Sequence, residues 1–463
     1  MTRFPVALRA VLSVAILNAS CLGTAASGEA AFVAIGDASM ELDINPSLYL
    51  SDPLSQDGST VVGTGLFDDK RQAFRWRQAT GVVPLGHLPF EPPPGGNAES
   101  FQASSALGVS ADGSVVLGFG VVGSPELLSP FPPPLPPIVN YETSGFLWTE
   151  ADGLRPLADT RSASLLNTDG SVAIVSGEEQ FVRWDAQAGL TPIAFEETGF
   201  FDLRALTADG ASGVGVRRDP DNPPFTLVFD RPGFGDDIVN INPTEAVIWE
   251  LTPTDDGTPI VPVARGLGSL PSDDPYAEAF AVSADGRVVV GTSHVGPFLD
   301  MESFRVEREA FLWSEATGMI GLNQLNGDES DQTLKISRAL DVSDDGSVIV
   351  GDSTAPEGTI TGFVWNEAMG MRSVYEVLVS VGQAEAIEGW SLGTVWGVSG
   401  DGTVIVGRGT DPQGESRVWI ATIPEPGAAW MMLPGAATLL RRRSAVGGTN
   451  DLQHADRRPP TAG

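Results

Sequence analysis

One short pattern recurs seven times along this chain, and that repetition limits the fold more than any other feature. An Asp-Gly pair stands at Asp57, Asp112, Asp169, Asp209, Asp285, Asp345 and Asp401. The clearest copies read VSADGSVVLG from Val109, VSADGRVVVG from Val282, VSDDGSVIVG from Val342 and VSGDGTVIVG from Val398. Two residues ahead of each Asp is a short polar side chain: Ser55, Ser110, Asn167, Thr207, Ser283, Ser343 or Ser399. Each of these can accept a hydrogen bond from a turn N–H. Asp and Gly both tolerate the positive φ of tight hairpins. The β-branched run beyond, such as Val288 to Val290, reads as a buried strand. Every copy therefore predicts strand, turn, strand, and the seven aspartates are structural turn residues.

A tryptophan follows each hairpin: Trp76, Trp148, Trp184, Trp249, Trp313, Trp365 and Trp419. Two residues before them stand Phe74, Phe146, Val182, Val247, Phe311, Phe363 and Arg417, on the same sheet face if the segment is a strand. A turn such as Ser314 to Gly318 and a fourth apolar segment such as Pro84 to Leu88 complete the unit. Seven four-stranded units predict an all-β, seven-bladed β-propeller over residues 31–423. The seventh unit stops after its third strand, while an orphan, FVAIGD (Phe32 to Asp37), precedes the first hairpin. Moving that N-terminal strand onto the last blade closes the ring and hides its open edges. One stretch departs from the β pattern. Val374, Val377, Leu378 and Val381 have helical spacing and predict a short helix between the last two blades, packed on the ring.

Composition supports a packed all-β chain. Of 463 residues, 54 are Gly and 35 Pro, yet 42% are hydrophobic and ten are Trp. The Gly and Pro therefore punctuate short strands rather than marking low complexity. Twenty-seven bases against 60 acids leave a net charge of −33, and only Lys70 and Lys335 are lysines. Such a surface repels phosphate, which argues against a nucleic-acid partner.

The two ends carry sorting patterns. Arg3 and Arg9, the apolar run from Ala10 to Ala19, and Ala25-Ala26 read as a signal peptide over residues 1–26. Cys21, the only cysteine, lies inside it, so no intrachain disulfide is available. At the other end Pro424, Glu425 and Pro426 precede an apolar run from Gly427 to Leu440, followed by Arg441, Arg442 and Arg443. Residues 424–443 resemble the PEP-CTERM sorting signal. The resemblance implies processing by an exosortase-type enzyme during export, with only transient membrane contact through this segment. An apolar segment stopped by arginines parks with those charges on the cytoplasmic side. Residues 444–463 read as a disordered tail. The repeat itself resembles the HAF-type extracellular repeats of bacterial exported proteins; Ala310-Phe311-Leu312-Trp313 followed by Gly318-Met319 is a good copy. That resemblance implies a location at the cell surface or in the extracellular matrix of a diderm bacterium, and no reaction.

The variable lengths mark where a ligand is expected. The stretch from Asp209 to Trp249 is far longer than that from Asp169 to Trp184, and long inserts recur between second and third strands. They include Ser124 to Pro137 and Asp219 to Asp237. In an up-down-up-down blade these connections share a face with the fourth-to-first connections, so one side of the disc gathers the long loops. The binding candidates on it are Asp219, Asp221, Asp236, Asp237, Asp273 and Asp274. Acidic pairs of this kind offer oxygens to Ca²⁺, but the Asp-x-Asp-x-Asp-Gly loop is missing, and no cofactor or metal site is assigned. Of three histidines, His87 and His294 read as strand-end or loop residues and His454 lies in the tail, so no catalytic constellation emerges. The expected function is an exported, non-enzymatic binding or structural protein, with an extracellular polysaccharide or surface protein as partner. The alternative is a glycan-active enzyme using acidic residues of the central pocket.

Overall fold

The computed structural model describes residues 31–423 except 38–39, 45–51, 90–100, 125–139, 178–179, 196–200, 222–224, 232–234, 242, 255–256, 273–275, 296–306 and 326–334. The expected signal peptide over residues 1–26, the expected sorting segment over 424–443 and the tail over 444–463 lie outside the described residues.

Seven antiparallel four-stranded sheets make the blades of a seven-bladed β-propeller. Blade 1 comprises Leu42–Asp43, Thr60–Phe67, Lys70–Arg77 and Gly81–Gly86. Blade 2 comprises Phe101–Val109, Val115–Ser124, Asn140–Thr149 and Gly153–Pro156. Blades 3 and 4, whose repeats are the most degenerate, form the same sheet from Ser162–Pro192 and from Phe201–Gly266. Blades 5 and 6 run from Ala277 to Gly321 and from Ser337 to Ser373. Blade 7 takes Ser391–Val398, Val404–Thr410 and Ser416–Thr422 from its own unit, and Ala31–Ala34 as its outer strand.

That borrowed strand closes the ring as expected. It pairs antiparallel with Ser416–Thr422, Phe32 opposite Ala421 and Ala34 opposite Trp419. The Ile35 N–H donates to the Val418 carbonyl at 2.9 Å, and Arg417 Nη2 to the Gly36 carbonyl at 2.6 Å. The Phe32 ring meets Trp390 edge-on at 5.0 Å and lies 5.8 Å from Trp419. Aromatic contacts of this geometry add about 1 kcal/mol each beyond burial.

Each Asp-Gly hairpin is built alike. In blade 5 the Ser283 hydroxyl donates to Asp285 Oδ1 at 2.9 Å and accepts from the Val288 N–H at 3.0 Å; the Arg287 N–H also donates to Asp285 Oδ1, at 3.0 Å. The serine thus accepts from a turn N–H as its position implied. Only the glycine of each pair takes positive φ, from 65° at Gly210 to 76° at Gly346, while the aspartates keep ordinary φ and act through their carboxylates. The hairpins are accordingly not two-residue turns with both central residues left-handed. The side-chain bonds let Asp stay in the right-handed half of the map.

The aromatic slots hold the core. Phe74, Phe146, Phe311 and Phe363 are fully buried, each opposite a glycine of the second strand: Gly63, Gly118, Gly291 and Gly351. Each ring lies so close across its glycine that a Cβ there would meet it at 2.5–3.0 Å. Blade 7 departs from the sequence reading at this point. Trp419 pairs with Gly407, so it fills the phenylalanine slot, and Ala421 opposite Ile405 fills the tryptophan slot. The register, two residues away from the expected one, brings the indole over a glycine that has room for it, and Phe32 and Trp390 pack against it.

The helix is Val374–Ser380, capped by Ser373 Oγ accepting from the Glu376 N–H at 3.2 Å; Val374, Val377 and Leu378 are buried against blade 6, and Val381 is its C-cap. The insert between Asp219 and Asp237 is not simply a loop. Phe225–Arg231 and Gly235–Ile241 pair as a two-stranded ribbon.

Candidate functional site

The first strands of the blades surround a central channel, and in blades 2 to 7 that strand carries the same irregularity. Pairing with the second strand slips between Ala106 and Gly108, Ala163 and Leu165, Leu203 and Ala205, Ala279 and Ala281, Ala339 and Asp341, and Val395 and Gly397. A bulge of this kind leaves one residue unpaired and re-aims its side chain. The unpaired residues are Leu107, Ser164, Arg204, Phe280, Leu340 and Trp396, and every one lines the channel cavity of about 80 Å³. Asp52 of blade 1 stands at the same offset from its Asp-Gly turn and lines it too. The residue five before the turn aspartate is therefore the channel position. The repeat does not advertise it, because its identity varies around the ring, with Leu alone recurring at Leu107 and Leu340.

Next to the cavity the seven turns join hands. The Gly400 N–H donates to the Gln56 carbonyl at 2.8 Å, Asp57 to Ala111 at 3.0 Å, and Ala111 to Thr168 at 2.6 Å. Ala208 donates to Ala284 at 3.1 Å, Ala284 to Asp344 at 3.1 Å and Asp344 to Gly400 at 3.0 Å. Between blades 3 and 4 the link is a side chain: Asn167 Nδ2 donates to the Ala208 carbonyl at 3.1 Å. The bonds form a closed ring through all seven blades on the Asp-Gly face. The carboxylates of Asp112 and Asp169 are held below their usual range, chiefly by the hydroxyls of Ser114 and Ser171. In Asp209 and Asp285 the N–H groups of Ala211 and Arg287 are the main cause. For Asp345 and Asp401 burial pushes upward, but bonds from Ser347 and Ser343, and from Ser399 and Thr403, outweigh it.

The channel wall is acidic. Asp52, Trp396 and Asp341 come from blades 1, 7 and 6, consecutive around the ring. Asp52 presents surface to the channel while protein encloses it elsewhere; this burial, more than the charge of Asp344, pushes it up to about 7 against a Leu54 hydrogen bond that opposes the shift. Asp341 is raised well above the usual range, first by burial and then by the charge of Asp52, although its oxygens accept from the Val342 N–H at 2.8 Å and the Val398 N–H at 2.7 Å. Two carboxyls that feel each other in this way titrate as a pair. Asp344 is raised by burial and by Asp345 and Asp401. On the opposite wall Arg204 lies over Phe280 at 4.8 Å and donates to Glu278 Oε2 at 2.9 Å and to Asp202 Oδ2 at 3.2 Å. Further toward the insertion face Arg338 forks onto fully buried Asp352, with Nε to Oδ1 at 2.9 Å and Nη2 to Oδ2 at 2.5 Å.

The sequence-derived binding candidates are not gathered with these groups. Asp219 and Asp221 share a local turn, the Asp221 N–H donating to Asp219 Oδ1 at 2.8 Å. Asp236 and Asp237 belong to the ribbon, where their backbones face Asp230 and Phe229. Asp273 and Asp274 lie outside the described residues, as does the insert after Ser124. His294 is buried on the second strand of blade 5, and His87 follows the last strand of blade 1. Among the described residues no group of three or more His, Cys, Asp or Glu is placed to hold a metal ion, and no helix is long and apolar enough to cross a membrane.

No family model matches the chain, and no curated protein matches it. Among solved structures it is similar to an oligogalacturonate lyase in complex with manganese, at 14% identity and TM-score 0.46 over 86% of this chain and 94% of that one. It is similar to the oligogalacturonate lyase of Vibrio parahaemolyticus at the same identity and TM-score, over 86% and 99%. A TolB from Acinetobacter baumannii aligns at 11% identity and TM-score 0.32, over 82% and 86%. These are propeller proteins, and at such identities no activity passes from them to this chain.

Proposed function

We propose that this protein is an exported, non-enzymatic binding or structural protein of the cell surface or extracellular matrix, which takes its ligand on the insertion-bearing face and the adjoining channel mouth. The observation that supports the reading is the asymmetry of the disc. On one face short turns are tied into a closed ring of hydrogen bonds, a rigid base with no room for insertion. Most of the long connections, Leu251 to Thr258 being one exception, leave from the other face, which is where a rigid scaffold carries recognition. The export signal over residues 1–26 and the PEP-CTERM-like segment 424–443 support the location and an exosortase-type processing partner. The net charge of −33 favours neutral glycans, cationic groups or Ca²⁺-bridged polymers over dense polyanions and nucleic acid.

A glycan array probed with the full chain, with and without calcium, tests the reading. Capture that disappears when the inserts 124–137 and 219–237 are shortened is expected; unchanged capture would overturn it. The paired carboxyls Asp52 and Asp341 favour a second reading, a glycan-active enzyme in which one protonated and one ionised carboxyl share the work. Turnover of a captured sugar, lost in Asp52→Asn, would replace the first reading with the second.

A further inference from the structure

In each hairpin the residue just before the turn aspartate belongs to the ring of bonds around the channel. It is alanine in blades 2, 4 and 5, at Ala111, Ala208 and Ala284. Blades 6, 7 and 1, consecutive around the ring, place Asp344, Gly400 and Gln56 there instead. Their backbones are linked directly, the Asp344 N–H donating to the Gly400 carbonyl at 3.0 Å and the Gly400 N–H to that of Gln56 at 2.8 Å. The side chains of Asp344 and Gln56 lean over the glycine between them. A Cβ on Gly400 would overlap Asp344 Oδ2 and meet Gln56 Oε1 at 2.9 Å, so two acceptor oxygens converge on a cradle that any side chain would fill.

Gln56 Oε1 is buried and accepts no hydrogen bond among the described residues. Burial, then the charges of Asp345 and Asp401, raise Asp344, and neither a base nor a hydrogen bond opposes them. Both side chains line the channel cavity together with Asp52 and Asp341, and each of those two carboxyls feels the charge of Asp344. Arg204, the base among the lining residues, is engaged by Asp202 and Glu278. Residues 45–51, which lead into Asp52 outside the described residues, include no Asp, Glu, Lys, Arg or His. This part of the channel is thus rich in acceptors and poor in donors. An ammonium group is the complement: three donors and no acceptor, carried on a carbon stem. Leu340 and Trp396 line the same cavity and suit such a stem. A divalent ion takes about six to eight oxygens, several of them charged. Among the described residues no group of three or more His, Cys, Asp or Glu is placed for one.

We propose that this cradle binds one primary ammonium group, held between Gln56 Oε1 and the Asp344 carboxylate within the field of Asp52 and Asp341, with its carbon stem along the channel. The net charge of −33 draws such cations in from solution. The site lies at the Asp-Gly end of the channel, so it stands or falls apart from the reading of the insertion-bearing face.

The site is tested by calorimetric titration of the full chain at low salt and about pH 8, where Asp52, raised to about 7, is ionised. The titrants are cadaverine, a capped lysine amide, tetramethylammonium and calcium chloride. One saturable site for cadaverine or the lysine amide is expected, and the tighter of the two tells a free diamine from a partner's lysine as the source. Gly400→Ala, which fills the cradle and displaces only side-chain ends, should weaken uptake roughly tenfold or more, and so should Asp344→Asn. Both should keep the melting temperature of the ligand-free protein. Gln56→Glu should tighten uptake severalfold, because the ammonium then meets a second charge. Turned over, the Gln56 amide would donate to Asp344 and bridge the glycine by itself; a Gln56→Glu variant that gains nothing would reveal that arrangement and overturn the site. Uptake that survives Gly400→Ala and Asp344→Asn is diffuse attraction to an acidic surface, and sinks the proposal. Equal binding of tetramethylammonium, which has no N–H to give, does the same, as does calcium that binds more tightly through these residues. Shortening the inserts 124–137 and 219–237 should leave uptake unchanged.

Discussion

Two populations of aspartate in this molecule respond to pH with opposite sign. The turn carboxylates Asp112, Asp169, Asp209 and Asp285 sit below their ordinary value of 3.8, so their stabilisation is present above that value and is lost as the pH falls through the folded-state pKa. Asp52 is raised to about 7, so its contribution is complete below 3.8 and is lost as the pH rises through 7. Thermal stability is therefore expected to peak on the mildly acidic side. Asp52→Asn should flatten the decline between about pH 4 and pH 7 in a series of melts, the interval the two pKa values bracket; an unaltered decline would show that Asp52 does not titrate there. Within a turn, Ser283→Ala removes one acceptor and one donor at a site only 1% exposed, and should cost about 1 kcal/mol in a denaturant titration. The turn serines and aspartates were legible in the sequence because their partners lie within five residues. The pair of Arg204 and Glu278 was not, since its two residues meet only when blades 4 and 5 pack side by side.

Among the elements, the N-terminal strand does the work of a clasp. Four residues pair across the whole length of the chain, and the Phe32 ring packs against Trp390 and Trp419. Deleting residues 31–37 should leave the edge of blade 7 open, lower the melting temperature by several degrees, and raise the concentration dependence of aggregation, because an unpaired edge recruits other chains. A deletion variant melting like the parent would show that the ring closes without it. The helix and the blade 7 aromatic make an instructive contrast. Val374–Ser380 was readable from its apolar spacing alone. The slot of Trp419 was not, because an aromatic suits either position on that face and only the pairing register with Gly407 chooses between them.

At the scale of the whole molecule, charge and closure oppose each other. A surface of net −33 repels itself, and the ring holds through buried rings and backbone bonds rather than through surface ion pairs. Raising the salt from near zero to about 0.1 M, where the Debye length is about 10 Å, should therefore raise the melting temperature. A fall would mean that ion pairs such as Arg204 with Glu278 dominate the balance. The same closure makes the disc two-faced, with a hydrogen-bonded base of turns on one side and the ends of the strands that carry most of the long connections on the other.

Seven repeats, four strands in each and a spare strand to finish the last one are properties of local pattern, and the amino-acid sequence alone carries them. Hairpin chemistry and side-chain alternation act over a few residues and need no partner from elsewhere. Channel composition, the hydrogen-bonded ring of turns and the Asp52 and Asp341 pair belong to the tertiary structure. Each depends on residues from different blades, whose separation along the chain says nothing about their distance until the ring is closed.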